Sequence, residues 1–244
     1  MRATRLFTKQ PLASGANVAL QGSAAQHLGR VLRARVGDTV TLFNGDGREF
    51  AATIKELGKR EILLTLGKAS SPITESAVHT VLGLCLSKGD RFDWAVQKAT
   101  ELGVSEIQPL ESERVDFPIP EGRIEKRVAH WQQIAVSACE QSGRVKVPLL
   151  RPPTPLLEWV SAVSADEKWV LDGAADHSPL PDAPPSTVAL LVGPEGGLTD
   201  SEVSAAQGSG FRALRLGPRI LRTETAPAVA LALIHSRWGD INLS

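Results

Sequence analysis

Apolar residues alternate with polar ones through the first third of the chain and cluster into continuous runs beyond it, so the pattern itself divides the sequence. In "DTVTLFNGDGREFAATIKEL", residues 38–57, Val40, Leu42 and Phe50 fall at strand spacing around "NGDG". That turn is a strong hairpin signal, because Asn and Gly tolerate the positive φ a tight turn demands. "REILLTLG" predicts a further strand, and together these segments predict a small β-barrel or sandwich. Between them "SAAQHLGRVLRARVGD" sets Leu28, Val31, Leu32 and Val36 at helical spacing, with Arg30, Arg33 and Arg35 spread over the other faces. Those arginines read equally as a solvated helix surface or as a phosphate-contacting patch, since guanidinium forks match phosphate oxygens.

The polar stretch "KASSPITES", residues 68–76, marks the boundary. Beyond it strands and helices alternate. "AVHTVLGLCLS" predicts a buried strand, and "RFDWAVQKATELG" a helix with Phe92, Val96, Ala99 and Leu102 inward and Gly103 as its stop. "VSEIQPLES" is the next strand. A long amphipathic helix follows on Ile124, Val128, Trp131, Ala135 and Ala138, ending at Gly143. "EKWVLDG" and "STVALLVG" are two more short buried strands. Near-continuous apolar strands separated by helices predict a parallel sheet covered on both faces.

Composition narrows the class. A chain of 244 residues, 42% hydrophobic and 22% charged, is long enough to bury a substantial core. It holds no run of eighteen apolar residues, and "MRATRLFTKQPL" lacks the apolar stretch of a secretory signal, so a cytoplasmic protein without a membrane span is expected. Cys85 and Cys139 lie in apolar segments without metal-ligand spacing and read as buried free thiols. The net charge of zero hides an asymmetry: residues 1–70 hold 11 basic against 5 acidic side chains, and residues 71–244 hold 16 against 22. A basic first portion suits a polyanion.

Ligands of a parallel sheet bind beyond the carboxyl ends of its strands, and two such ends stand out. "VALLVGPEGGLTDSEV" runs from a strand through Gly193-Pro194-Glu195-Gly196-Gly197 into a helix that Thr199 and Glu202 mark with a capping box. The glycines let main-chain amides approach a ligand. Glu195 argues against phosphate, and the pattern is neither of the glycine-rich nucleotide loops. The second end is "FRALRLGPRILRTETAPAVALALI": a strand, a turn at Gly217-Pro218, and an almost wholly apolar helix from about Thr225, with Pro227 in its first turn. Capping accounts for one threonine and the helix dipole for Glu224, but neither accounts for Arg219 or Arg222, which a helix N-terminus disfavours. The five histidines form no metal pair and read as core or surface residues, so no metal is expected; no GxSxG elbow occurs.

"HLGRVLRARVGD", "KGDRFDWAVQKATELGVSEIQPLESER", "WQQIAVSACEQSGR", "LLVGPEGGLTDSEV" and "LGPRILRTETAPAVAL", five blocks in order from the N-terminus to about Asp240, together resemble the RsmE family of ribosomal RNA uracil-N3 methyltransferases, within the SPOUT superfamily. The resemblance implies an α/β protein: a PUA-like β-barrel over residues 1–72 that helps grip RNA, then a SPOUT domain over residues 73–244 with a parallel sheet and a C-terminal segment threaded into a deep trefoil knot. Implied with it are a homodimer, for which the last helix and the Trp131 helix offer surfaces, S-adenosylmethionine as cofactor, and N3 of one uridine in 16S ribosomal RNA of the small subunit as methyl acceptor. Leu171, Gly193, Glu195, Gly196, Leu216, Gly217, Ile220 and Leu221 then become candidates for the cofactor slot. Arg222 would stabilise developing charge, Glu224 or Glu195 would position or deprotonate the base, and Arg2, Arg5, Arg30, Arg33 and Arg35 would contact the RNA backbone. Two rivals stay open: a SPOUT enzyme that modifies another RNA position, and a non-catalytic RNA-binding ribosome-assembly factor. Gly29 after "HL" and Pro227 after "RTET" depart from the family pattern and leave the geometry of the last helix less defined.

Overall fold

A computed structural model describes residues 4–26, 28–29, 34–115, 119–173, 175 and 181–242. They form two compact units, residues 1–75 with 139–147, and residues 76–138 with 148–244.

The first unit is a mixed five-stranded sheet built from β1 (Arg5–Phe7), β2 (Asn17–Gln21), β3 (Thr39–Phe43), β4 (Glu49–Leu57) and β5 (Glu61–Ser70), in the order β1-β3-β4-β5-β2. β1 runs parallel to β3, and the other pairs are antiparallel. The "NGDG" hairpin joins β3 to β4 as its composition predicts. Alternate residues of β4 and β5, among them Phe50, Ala52, Ile54, Ile62, Leu64 and Leu66, form one core with Leu6, Leu20 and Leu42. α1 spans Gly22–Gln26 and Leu28 and Gly29 are also helical, but the helix predicted to reach Val36 does not do so: Ala34 and Arg35 lie outside any helix, and Val36 is 61% exposed. Asp38 explains the difference, because its carboxylate accepts the Arg35 N–H at 2.7 Å and the Asp38 N–H returns to the Arg35 carbonyl, closing a turn where a helix was expected.

Residues 139–147 join this unit through charge. The Arg144 guanidinium, almost fully buried, meets the Glu75 carboxylate at 2.6 Å, and the Arg144 carbonyl accepts from Arg5 Nη2 at 3.1 Å. A single cut at 72/73 therefore misses a segment that is distant in sequence.

In the second unit all strand pairs are parallel. β6 (His79–Cys85), β7 (Glu106–Glu111), β8 (Leu149–Leu150), β9 (Thr154–Pro155), β10 (Glu167–Leu171), β11 (Thr187–Val192) and β12 (Arg212–Leu214) lie in the order β12-β10-β11-β6-β7-β8, with β9 on β7. Five residues of β11 in succession are buried, as a strand covered on both faces requires. The helices are α2 (Arg91–Glu101), α3 (Ile124–Ser142), α4 (Leu156–Ala162), α5 (Asp200–Gly208) and α6 (Thr225–Trp238). Phe92 of α2 packs on Trp131 of α3 with ring centroids 4.3 Å apart, and both side chains are buried. Cys85 and Cys139 are buried free thiols, and burial pushes each up to about 12, so neither is a nucleophile near neutral pH.

Gly83, in the middle of β6, lies directly under the Trp159 indole of α4, and any Cβ there would collide with the ring. We expect Gly83→Ala to destabilise the second unit by about 1–3 kcal/mol, the usual cost of overpacking a filled core. Urea denaturation would show this as a lower midpoint.

Candidate active site

The order of the second sheet places β6 between β7 and β11, so the chain leaves the carboxyl ends of β6 and β11 in two loops at the point where strand order reverses. The loop after β11 is "GPEGGLT". Gly193 lies tight under Leu198, Gly197 takes φ +71°, and the Gly197 N–H closes a turn onto the Pro194 carbonyl. Thr199 then caps α5 with both halves of the capping box formed: its hydroxyl accepts from the Glu202 N–H, and Glu202 accepts from the Thr199 N–H.

Glu195 Oε1 accepts from the Lys88 N–H at 3.0 Å and from Arg91 Nη1 at 2.8 Å, tying the loop after β11 to the loop after β6. Partial burial pushes this carboxyl upward, but the Lys88 N–H, its own amide and the Arg91 guanidinium outweigh burial and hold it below the usual carboxylate range. A carboxylate so supplied with donors is a poor proton acceptor. What the geometry gives Glu195 is a structural task, holding the loop after β11 to the loop after β6.

A third strand end joins in. Arg114, beyond β7, donates from Nη1 to the Gly196 carbonyl at 2.8 Å and to the Leu198 carbonyl at 3.3 Å. Beside it the Glu113 N–H donates to Glu202 Oε1 at 2.8 Å, and Glu202 is only 4% exposed.

One cavity of about 500 Å³ opens at the carboxyl ends of β10, β11 and β12. Leu171, Gly193, Glu195, Leu216, Gly217, Ile220, Leu221, Arg222 and Glu224 all line it. Gly196 lies beside the wall, its carbonyl taken by Arg114, and Ile220 forms the rim with its side chain 99% exposed. Val192, Leu198 and Leu214 add apolar surface, and Asp172 adds a carboxylate at the end of β10. Arg91, Arg114 and Asp172 escaped sequence reasoning; "SER" beyond one strand and "LDG" at the end of another were the available signals.

Glu224 stands at the N-cap of α6 yet makes no capping hydrogen bond, and its Oε2 is buried without a partner. Helix capping therefore does not account for it. The Arg219 and Arg222 side chains are exposed on the cavity rim and make no hydrogen bond or ion pair with the described residues. Pro227 is the third residue of α6, within the first turn, where its missing N–H costs nothing.

The expected RNA contacts fare differently. Arg5 is an internal residue of the first unit: it pairs with Glu49, stacks over Phe43 at 5.0 Å and donates to the Arg144 carbonyl, which removes it from the exposed basic surface. Its polar partners, Glu49 and Arg144, lie 44 and 139 residues away in sequence, which is why its isolated charge misled. Arg35 is exposed. Arg2, Arg30 and Arg33 lie outside the described residues. Among the described residues no cluster of His, Cys, Asp and Glu is placed to hold a metal ion.

Comparison with known proteins is consistent across the chain. Residues 74–235 match an RNA methyltransferase domain, and residues 20–67 match an RNA methyltransferase PUA domain. The ribosomal RNA small subunit methyltransferase E of Buchnera aphidicola is 30% identical over 243 residues, 99% of each chain. Its namesake in Synechocystis is 34% identical over 91% of this chain and 73% of its own. Among solved structures, a Legionella pneumophila protein in complex with the cofactor SAM superposes with a TM-score of 0.95 at 37% identity, over 99% of this chain and 100% of that one. A ribosomal RNA small subunit methyltransferase E from Neisseria gonorrhoeae, bound to S-adenosyl methionine, gives 0.92 at 37% identity with the same coverage.

Two measurements test the clamp. Arg114→Ala removes two charge-assisted hydrogen bonds, so amide hydrogen exchange at Gly197 and Thr199 should speed up by about tenfold. The Glu195 clamp follows pH with a definite sign: a depressed folded value means the interaction is present above the unfolded glutamate range and is lost as pH falls through the folded value. Protection of the Lys88 amide, corrected for intrinsic rate, should therefore persist as pH falls through the unfolded glutamate range and be lost only below it.

Proposed function

We propose that this chain, which belongs to the ribosomal RNA small subunit methyltransferase E family, transfers a methyl group from S-adenosylmethionine to N3 of one uridine in 16S ribosomal RNA of the small ribosomal subunit. Methyl transfer to RNA follows from the family. The observation that carries the finer reading is a single cavity in which an unpartnered carboxylate oxygen, Glu224 Oε2, lies close in sequence to an exposed arginine without a partner among the described residues, Arg222.

The residues present fit the cofactor. Leu171, Val192, Leu214, Leu216 and Leu221 offer apolar walls for an adenine, and the backbone of the Gly193 and Gly217 turns can approach a ligand closely. Asp172 and Glu224 offer carboxylates for ribose hydroxyls, an ammonium or a sulfonium. When bound, S-adenosylmethionine supplies an electrophilic methyl group on a positively charged sulfur.

The chain's own residues do the remainder. Alignment is the main contribution to a displacement at carbon, and the Glu195 and Arg114 clamps fix the loop that forms one wall. Uracil N3 bears a weakly acidic proton that must leave before the nitrogen attacks. Glu224 accepts that proton, because its buried oxygen has no competing donor, whereas Glu195 is already saturated. Arg222 stabilises the negative charge that spreads to the uracil oxygens as the proton leaves. Uracil must leave its stack to reach such a cavity, which suits an RNA loop or a folded ribosomal particle.

The surrounding proposals follow the family resemblance. The first unit grips RNA as a PUA-like domain, with Arg35 as its remaining described candidate. The C-terminal segment of the second unit threads a deep trefoil knot. The protein is a homodimer: α6 buries Ala230, Leu231 and Ile234 on one side yet leaves Leu233 48% exposed on another, an apolar residue suited to a second copy. No helix among the described residues is long and apolar enough to cross a membrane, and a ribosomal substrate places the protein in the cytoplasm.

Arg222→Ala should lower turnover by about 10²-fold or more while the dissociation constant for S-adenosylmethionine stays near its native value. The measurement is single-turnover methylation of small subunits from a strain lacking this protein, with the product nucleoside identified by mass spectrometry. Native turnover in the variant would remove Arg222 from the chemistry, and a product other than N3-methyluridine would redirect the acceptor.

A further inference from the structure

A second cavity, of about 590 Å³, is lined by Lys88, Gly89, Asp90, Arg91 and Trp94 from the start of α2 and by Glu224 and Thr225 from the start of α6. Arg91 and Glu224 belong to the lining of both cavities, so the two share a wall. Trp94 takes no part in the proposed chemistry.

Trp94 is out of place for a structural residue. α2 buries Phe92, Ala95, Val96 and Ala99, whereas Trp94 is 41% exposed on another face, with Lys98 Nζ 5.9 Å from its ring centroid. An exposed indole at the mouth of a cavity is a stacking platform, because every nucleobase offers a π-face. The polar groups of the same cavity then select among bases. Uracil presents an N3–H donor flanked by two carbonyl acceptors. Arg91 commits Nη1 to Glu195 and keeps further N–H groups to donate, while Glu224 Oε2 is a buried acceptor without a partner. A donor beside an acceptor matches the uracil edge. Cytosine, which lacks the N3 proton, would set its bare nitrogen against the carboxylate.

We propose that this second cavity is the acceptor-base subsite, in which Trp94 stacks on the flipped uracil, Glu224 meets its N3–H and Arg91 meets a carbonyl oxygen. The inference rests on the proposed uridine methylation and adds the residue that holds the base and the edge that selects it.

The test uses the full chain, its Trp94→Ala and Trp94→Phe variants, small ribosomal subunits lacking the methyl group as acceptor, and uridine 5′-monophosphate with its cytidine counterpart as probes. Trp94→Ala should raise KM for the subunits by about tenfold, with the S-adenosylmethionine dissociation constant and the oligomeric state unchanged, and Trp94→Phe should restore most of the loss. The uridine nucleotide should quench tryptophan emission of the native protein more than the cytidine nucleotide does, and the quench should vanish in Trp94→Phe. A native KM in Trp94→Ala, no quench by the uridine nucleotide in the native protein, equal quenching by both nucleotides, or a quench surviving in Trp94→Phe would each overturn the assignment. So would a raised cofactor dissociation constant in Trp94→Ala, which would move the indole to the cofactor wall, or a smaller oligomer, which would make it a subunit contact. Failure of the native protein to bind S-adenosylmethionine or to produce N3-methyluridine would instead sink the uridine methylation beneath it.

Discussion

Parallel pairing is the constraint from which the site follows. Because β6, β7, β10, β11 and β12 all run the same way, the loops that leave their carboxyl ends gather along one edge of the sheet, and residues far apart in sequence become neighbours there. At the reversal of strand order the loops after β6 and β11 leave side by side, and a crevice would open between them if nothing crossed it. Glu195 crosses it, reaching Lys88 and Arg91. Arg114 fastens the same loop from the far side, through carbonyls that a glycine-rich turn leaves turned outward. The cavity wall is therefore held at three strand ends by charged side chains, even though it carries three glycines.

The charges of this edge fall into two sets. Glu195, Arg114 and Glu202 are satisfied by named partners and fix the backbone. Glu224 Oε2 is unsatisfied, and Arg219 and Arg222 have no partner among the described residues. A buried acceptor left without a donor costs about 1–3 kcal/mol, so such a group persists where a ligand completes it. That division separates anchored from unanchored charge more sharply than residue type does, since glutamate and arginine occur in both sets.

What the sequence made legible was whatever depends on near neighbours. Alternation predicted β3, β4 and β5; continuous apolar runs predicted β6, β10 and β11; the Thr199 and Glu202 spacing predicted the α5 capping box, which forms as read. The loops lining the cavity were identifiable because they are glycine-bearing and sit at strand ends. Partners distant in sequence were not legible. Arg114 acts on carbonyls more than eighty residues away, and Arg5 is neutralised by Glu49 and held by the Arg144 carbonyl. α4 went unread because seven residues directly after a proline-rich stretch give too short a period, although its Trp159 covers Gly83 in the central sheet. The helix expected to reach Val36 failed for a local reason, an Asp38 side chain that offers the backbone a turn instead.

The placement of Arg219 and Arg222 just ahead of α6 completes the electrostatic logic. A helix N-terminus carries partial positive charge, so cations there are disfavoured by about 0.3–1 kcal/mol each near the surface. Among the described residues no salt bridge offsets this, and the same turn holds Pro227 and an uncapped Glu224. A positive field whose arginines are unpaired among the described residues lowers the cost of an anion arriving beside it. In the proposed reaction a pyrimidine ring that has just lost its proton is such an anion, present only while the methyl group is being transferred. Stabilisation that appears only with that charge favours the transition over the resting complex, which is the condition for a binding group to accelerate a reaction.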